Sequence, residues 1–231
     1  MIDFTGYSER GTRDTNEDSY LTESGSGYFL AVLADGLGGH GGGQAASEAA
    51  CAAIVNHLKR QPVLDKNNLN AAVSEAQNAV MRLHTQTLQM KTTIVMLFIL
   101  NETAACVHVG DSRLYHFRNG IIDFQTTDHS VSQLAVFAGE ITKDDIRNHP
   151  DRGKLLRALG SDNGVQADIS FFTAEKGDAF LLCSDGFWEP VTENKMESCL
   201  LASESSKQWL DKMRFNIEPD DNSSALAVIL R

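Results

Sequence analysis

The sequence has no uninterrupted apolar run of the length that crosses a bilayer. Its opening stretch is polar and acidic, without the basic start and apolar segment of a secretory leader. From these absences we expect a cytoplasmic protein with no membrane partner. A basic surplus is also missing. Twenty Lys and Arg stand against 31 Asp and Glu, for a formal net charge of −11, whereas a nucleic-acid partner calls for a basic face. Cysteine is sparse: Cys51, Cys106, Cys183 and Cys199 are far apart and form no CxxC, so reduced, buried thiols are expected rather than a disulfide frame or zinc site. There is no internal repeat and no low-complexity linker.

What is present is an ordinary globular composition, 42% hydrophobic and 22% charged over 231 residues. We expect one domain covering 1–231. Short runs rich in Val, Ile, Leu and Phe at 28–34, 92–100, 105–109 continuing through 113–117, 179–183 and 224–230 read as buried strands. Helical spacing appears at 44–59 and 69–89, and in shorter pieces at 131–138, 143–149, 193–201 and 206–215. Thr142 and Asp145 have capping-box spacing, and Asn119-Gly120 before Ile121 signals a hairpin. Residues from about 130 to 160 look like an excursion from the main body. Strands and helices do not alternate as clean βαβ units, so α+β with antiparallel sheets is the expected class.

One pattern recurs along the chain. Apolar runs end in an aspartate flanked by glycine or serine: AVLADG at Asp35, VHVGDS at Asp111 and LLCSDG at Asp185, while Asp221 stands just before the last run. A single Asp-Gly is most often a turn. Repetition at strand ends is harder to dismiss, because carboxylates on rigid termini can converge from distant segments. Hard divalent cations such as Mg²⁺ and Mn²⁺ take such oxygen ligands. The Gly-rich stretch DGLGGHGGG (35–43) runs into a helix whose N-terminus favours anions, but no Gly-Lys-Ser/Thr follows, so it is not a P-loop. RDTNED (13–18) places Arg13, a natural fork for phosphate, four residues before Glu17 and Asp18.

In the order RDTNED, VLADGLGGHGGG, TTIV, VGDSRLY, DHSV, AGEIT…NHPDRGKLLRALG, LLCSDG and DDNSSALAVIL, the motifs resemble those of the metal-dependent, type 2C Ser/Thr protein phosphatases, and more closely their bacterial branch. The resemblance spans essentially the whole chain. It implies a four-layer α-β-β-α sandwich with two central antiparallel sheets, and a mobile flap over about 130–160. It implies two core Mn²⁺ or Mg²⁺ ions, with Asp35 bridging them, the Gly36 carbonyl on one, and Asp185 and Asp221 on the other. Asp111 and Asp185 correspond to a third, weaker metal position. Glu17 and Asp18 would orient or deprotonate water, Arg13 would bind the substrate phosphate, and Asn222 would support the site.

The implied reaction is hydrolysis of phosphoserine and phosphothreonine by direct attack of a metal-bridging hydroxide. Phosphorylated proteins and an opposing bacterial Ser/Thr kinase are the implied partners, with the chain a monomer. Two departures stand out: Leu37 occupies the position of the histidine that eukaryotic relatives use toward the leaving group, which leaves metal-bound water as the expected proton donor and His40 as the weaker candidate, and Lys91 replaces a customary glycine. A phosphoprotein-binding module of weak activity and a small-molecule phosphohydrolase are the competing readings.

Overall fold

Every long strand of the interior is apolar on both faces, and the computed structural model, which describes residues 1–38, 42–162 and 164–231, shows why. Strand β3 (Tyr28–Leu37) sends Leu30, Val32 and Ala34 to one side and Phe29, Ala31 and Leu33 to the other. The first set packs on helices α1 (Gly42–Arg60) and α2 (Lys66–Met81), through Ile54, Leu58 and Val73 among others. The second set meets Leu114, Phe180, Leu182 and Val228 of the opposing sheet. A strand buried on both faces cannot alternate with polar residues, so it reads as a continuous apolar run.

The first sheet has the order β2 (Asp18–Gly25), β3, β5 (Ile94–Leu100), β6 (Thr103–Val109), β9 (Asp168–Thr173), with the two-residue β4 (Lys91–Thr92) on β3. The second has the order β1 (Ile2–Glu9), β11 (Ser223–Leu230), β10 (Ala179–Cys183), β7 (Arg113–Arg118), β8 (Ile121–Gln125). Pairing is antiparallel throughout. On the outer face of the second sheet, Phe117, Leu181 and Ala227 pack against Met196 of α5 (Glu193–Leu201) and Trp209 and Met213 of α6 (Ser206–Arg214). The result is the expected layering of helices, two antiparallel sheets and helices.

Several boundaries differ from the sequence reading. Strands β1, β2 and β9 carry too many polar residues to stand out, because much of each is only half-buried. The segment read as one strand over 92–100 is interrupted at Thr93, which turns its hydrogen bonds onto Asp35. Helix α2 ends at Met81 rather than 89; beyond it, Thr85 accepts from the amides of Thr87 and Leu88 through its hydroxyl, a local alternative to helix. Residues 144–148 form a 3₁₀ turn rather than an α-helix. Asp145 accepts from both the amide and hydroxyl of Thr142, as the capping spacing indicates. The four cysteines are free, three of them buried.

Between β8 and β9 lie α3 (Val131–Phe137) and the 3₁₀ turn. A bridge from Ser130 to Leu155 closes this excursion at its base. No helix among the described residues is long and apolar enough to cross a membrane.

Candidate metal centre

The strand-terminal aspartates meet because their strands end on the same side of the sandwich. Asp18 opens β2 directly opposite Asp35 near the end of β3. Asp185 follows β10, and Asp221 precedes its antiparallel neighbour β11. A cavity of about 600 Å³ is lined by Arg13, Glu17, Asp35, Gly36, Asp185 and Asp221, among others. Leu37 lines it too. Asp111 follows β6 and lies buried close enough for its charge to bear on Asp35, and that of Asp185 on it.

Backbone contacts fix the floor of this cavity. The Asp35 carbonyl accepts from the Thr93 amide (2.8 Å) and the Thr92 hydroxyl (2.9 Å), and its amide donates to the Thr93 hydroxyl (2.9 Å). With its main chain held, its side chain is left for the cavity. Thr93 also shares a hydrogen bond with Ser112, beside Asp111 (2.7 Å). The Gly36 amide donates to the Glu17 carbonyl (3.1 Å), and a Cβ at Gly36 would fall 2.1 Å from the Gly43 carbonyl oxygen. Only glycine admits that approach. Asn222 clasps the segment carrying Arg13 and Glu17: it accepts from the Glu17 amide (2.7 Å) and donates to the Arg10 and Thr15 carbonyls (2.9 Å each).

The electrostatics of the cluster are one-sided. Burial, reinforced by the charges of Asp185 and Asp221, pushes the Asp18 carboxyl up to about 7, although the Ser184 hydroxyl donates to it at 2.8 Å. Burial and the charges of Glu189 and Asp221 push Asp185 up to about 6. Asp35 and Asp111 lie well above the ordinary carboxylate range, first through burial and then through their acidic neighbours. The nearby Asp185 charge adds to the rise at Asp35.

Buried oxygens Glu17 Oε1 and Asp18 Oδ1 have no hydrogen-bond partner among the described residues. A crowded all-oxygen set of carboxylates, two of its buried oxygens unpartnered, is the environment a hard divalent cation stabilises. The residues therefore fit such ions.

Arg13 is placed differently from the sequence expectation. Its guanidinium donates to Asp221 Oδ2 at 2.5 Å, so the phosphate fork is spent on an expected metal ligand. Both side chains are exposed, and an exposed pair of this kind is worth under about 1 kcal/mol, little enough to exchange for a cation and a phosphate. His40 lies outside the described residues. Lys91, in β4, pairs with Leu37 of β3, so the lysine continues a strand.

Some contributors escaped sequence reasoning. Arg113 and Asp128 form a buried bidentate pair (2.9 and 2.8 Å), with the guanidinium 3.4 Å from the centre of the Trp188 ring. Trp188 in turn donates to the Asp111 carbonyl (3.0 Å). These residues sit within or beside the motifs VGDSRLY, DHSV and LLCSDG, yet only the fold reveals that they touch. A second tight group is formed by His108, His129 and Asp168. There His129 Nδ1 accepts from the Gly110 amide, the other ring's Nε2 faces the Thr127 carbonyl, and Arg157 contacts both His129 and Asp168. The occupied nitrogens and the guanidinium make it a hydrogen-bonded cluster rather than a second metal site.

The comparisons agree with this geometry. The family model described as protein phosphatase 2C matches residues 5–231. The serine/threonine protein phosphatase PstP of Mycobacterium tuberculosis is 33% identical over 205 residues, 87% of this chain and 39% of that protein. The chain thus spans about two fifths of the length of that relative. The serine/threonine phosphatase stp of Listeria monocytogenes is 31% identical over 208 residues, 86% of this chain and 82% of that protein.

Among solved structures, the mycobacterial PstP/Ppp phosphatase superposes with a TM-score of 0.86 at 30% identity, covering 100% of this chain and 99% of that one. The PstP catalytic domain in complex with two manganese ions gives 0.85 at 29% identity, covering 99% and 97%. The chain belongs to the protein phosphatase 2C family.

Proposed function

We propose that the chain is a Mn²⁺- or Mg²⁺-dependent protein phosphatase that hydrolyses phosphoserine and phosphothreonine. The observation that carries this reading is the convergence of Asp35, Asp185 and Asp221 on one cavity, with burial and acidic neighbours pushing the Asp35 and Asp185 carboxyls up. Asp35, the Gly36 carbonyl, Asp185 and Asp221 would hold two ions, and Asp111 with Asp185 a third. Bound there, divalent ions supply a nucleophile near neutral pH by acidifying water.

The remaining chemistry belongs to side chains. Arg13, released from Asp221, forks the substrate phosphate and absorbs charge on its equatorial oxygens. Glu17 and Asp18, each with one unpartnered buried oxygen, orient water and accept its proton. Asn222 keeps that segment in register with Asp221. With Leu37 offering no proton, water is left to protonate the departing serine or threonine. Residues 130–160 form a flap within a single domain spanning 1–231. The natural counterpart is a Ser/Thr kinase acting on the same phosphoproteins, in the cytoplasm and with this chain as a monomer.

The test is phosphate release from a phosphothreonine peptide, compared with release from nucleotides and sugar phosphates. The proposal expects Mn²⁺-dependent turnover preferring the peptide, abolished in Asp185→Ala. Preference for the small molecules would favour a metabolite phosphohydrolase. Peptide binding without turnover under any divalent ion would favour a binding module.

A further inference from the structure

A second cavity, of about 510 Å³, lies apart from the acidic one, between the 130–160 excursion and the start of α5. Its walls include Gln133 of α3, Lys143 and Arg147 at the 3₁₀ turn, Arg113 of β7, and Glu193 and Asn194 of α5. Three features of it converge on one kind of ligand.

Gln133 is 5% exposed, and its Nε2 is buried without a hydrogen-bond partner among the described residues. A buried amide donor left unsatisfied in this way is costly unless a ligand or water completes it. The cavity also abuts a helix N-terminus. The Thr192 hydroxyl accepts from the Lys195 amide, while the amides of Glu193 and Asn194 belong to the first turn, which has no intrahelical acceptors.

The third feature is charge. The lining charges are Arg113, Lys143 and Arg147 against Asp144 and Glu193, in a chain of net charge −11. Arg147 neutralises Glu193 (2.6 Å), and Asp128 neutralises Arg113 (2.8 Å). Lys143 and Asp144 are both exposed, and Lys143 has no carboxylate within salt-bridge distance among the described residues, which leaves its ammonium free for a ligand.

We propose that this cleft binds a small oxyanion, a phosphate or a carboxylate, held by the Gln133 amide, the Lys143 ammonium and the first turn of α5. The site is distinct from the catalytic one and does not require metal. Its position gives it a route to the metal centre. Arg113 on its wall lies over Trp188, whose indole N–H holds the Asp111 carbonyl, and Arg147 donates to the Glu189 carbonyl at the end of α4 (Asp185–Trp188). An oxyanion bridging Gln133 and α5 therefore ties the excursion to the start of α5, beside the Arg147 contact to the end of α4. Inorganic phosphate, which a phosphatase releases, and cellular carboxylates share this chemistry.

Titration calorimetry of the metal-stripped protein, at constant ionic strength maintained with chloride, tests the site without the catalytic metals. Sulfate, phosphate and citrate serve as separate probes, and hydrogen exchange is followed in parallel. The expected result is saturable binding of one anion, with Kd on the order of 1 mM, slowed exchange at 143–148 and 193–196, and affinity about tenfold weaker in Lys143→Ala and in Gln133→Leu. Arg13→Ala is expected to bind as the parent does. The relative affinities of phosphate and citrate separate the two sources. Absence of saturable binding, unchanged affinity in both cleft variants, or loss of binding in Arg13→Ala would overturn the proposal. None of these outcomes depends on turnover, so the site stands or falls separately from the phosphatase reading.

Discussion

Asp18→Asn should stabilise the metal-stripped protein near pH 7.5 while damaging its function. Burial holds the folded-state Asp18 carboxyl up at about 7, against an ordinary value of 3.8. A group raised on folding leaves the folded protein unpenalised below about pH 4, where both states are protonated. As pH rises toward 7 the unfolded chain ionises first, so stability drains away, and the loss levels off above the folded value.

At about 1.4 kcal/mol per unit, the penalty near pH 7.5 is about 4 kcal/mol. Asparagine removes the charge and can still accept from Ser184 (2.8 Å in the parent). Its new N–H₂ lacks an evident acceptor, which returns about 1–2 kcal/mol. The net gain is about 2–3 kcal/mol near pH 7.5, or about 4–12 °C in melting temperature for a domain this size. Near pH 4.5 it should vanish or reverse, because the removed penalty is then only about 1 kcal/mol. Thermal or urea unfolding of parent and variant at the two pH values reads this directly. Saturating Mn²⁺ should reverse the order, since ions bind the parent site in preference. A variant no more stable than the parent at neutral pH, or a gain equal at both pH values, would refute the electrostatic reading of the cluster.

Other perturbations probe the surrounding scaffold. Asn222→Ala removes three hydrogen bonds that clasp residues 10–17, and should destabilise by about 1–3 kcal/mol while raising the Mn²⁺ concentration needed for half-maximal turnover. Arg113→Met strands the buried Asp128 carboxylate and should cost about 3–5 kcal/mol; adding Asp128→Leu should recover much of that loss in a denaturation experiment. Gly110→Ala places a methyl 2.6 Å from Thr93 Cγ2 at φ +110. Strain there should cost more than about 1 kcal/mol, and it should weaken metal binding at the adjacent Asp111 more than at Asp35, as a Mn²⁺ titration would show.

Most of the architecture was legible where burial on both faces left continuous apolar strands, as in β3, β5 and β10. It was illegible where strands are half-exposed: β1, β2 and β9 mix polar and apolar residues because each presents one face or edge to water. Asp35, Asp185 and Asp221 stood out because each abuts an apolar run. Their grouping around two ions came with the family resemblance; what the sequence did not show is the register that sets Asp18 against Asp35 and Cys183 against Ala225. Arg113 lies within VGDSRLY, where nothing local marks it, yet it is buried against Asp128 and Trp188 by a crossing of chain segments. Arg13 was read as a phosphate fork, and its pairing with Asp221 depends on a contact between residues far apart in the chain that no local pattern shows.

The central claim is that these carboxylates hold the ions on which phosphate release depends. The most direct measurement adds Mn²⁺ back to the stripped protein while following bound metal and phosphate release from a phosphothreonine peptide together. The account predicts no release without metal, turnover that appears as two ions are taken up, and loss of both uptake and turnover in Asp35→Asn. Full turnover in the stripped protein, or undiminished turnover in Asp35→Asn, would contradict it.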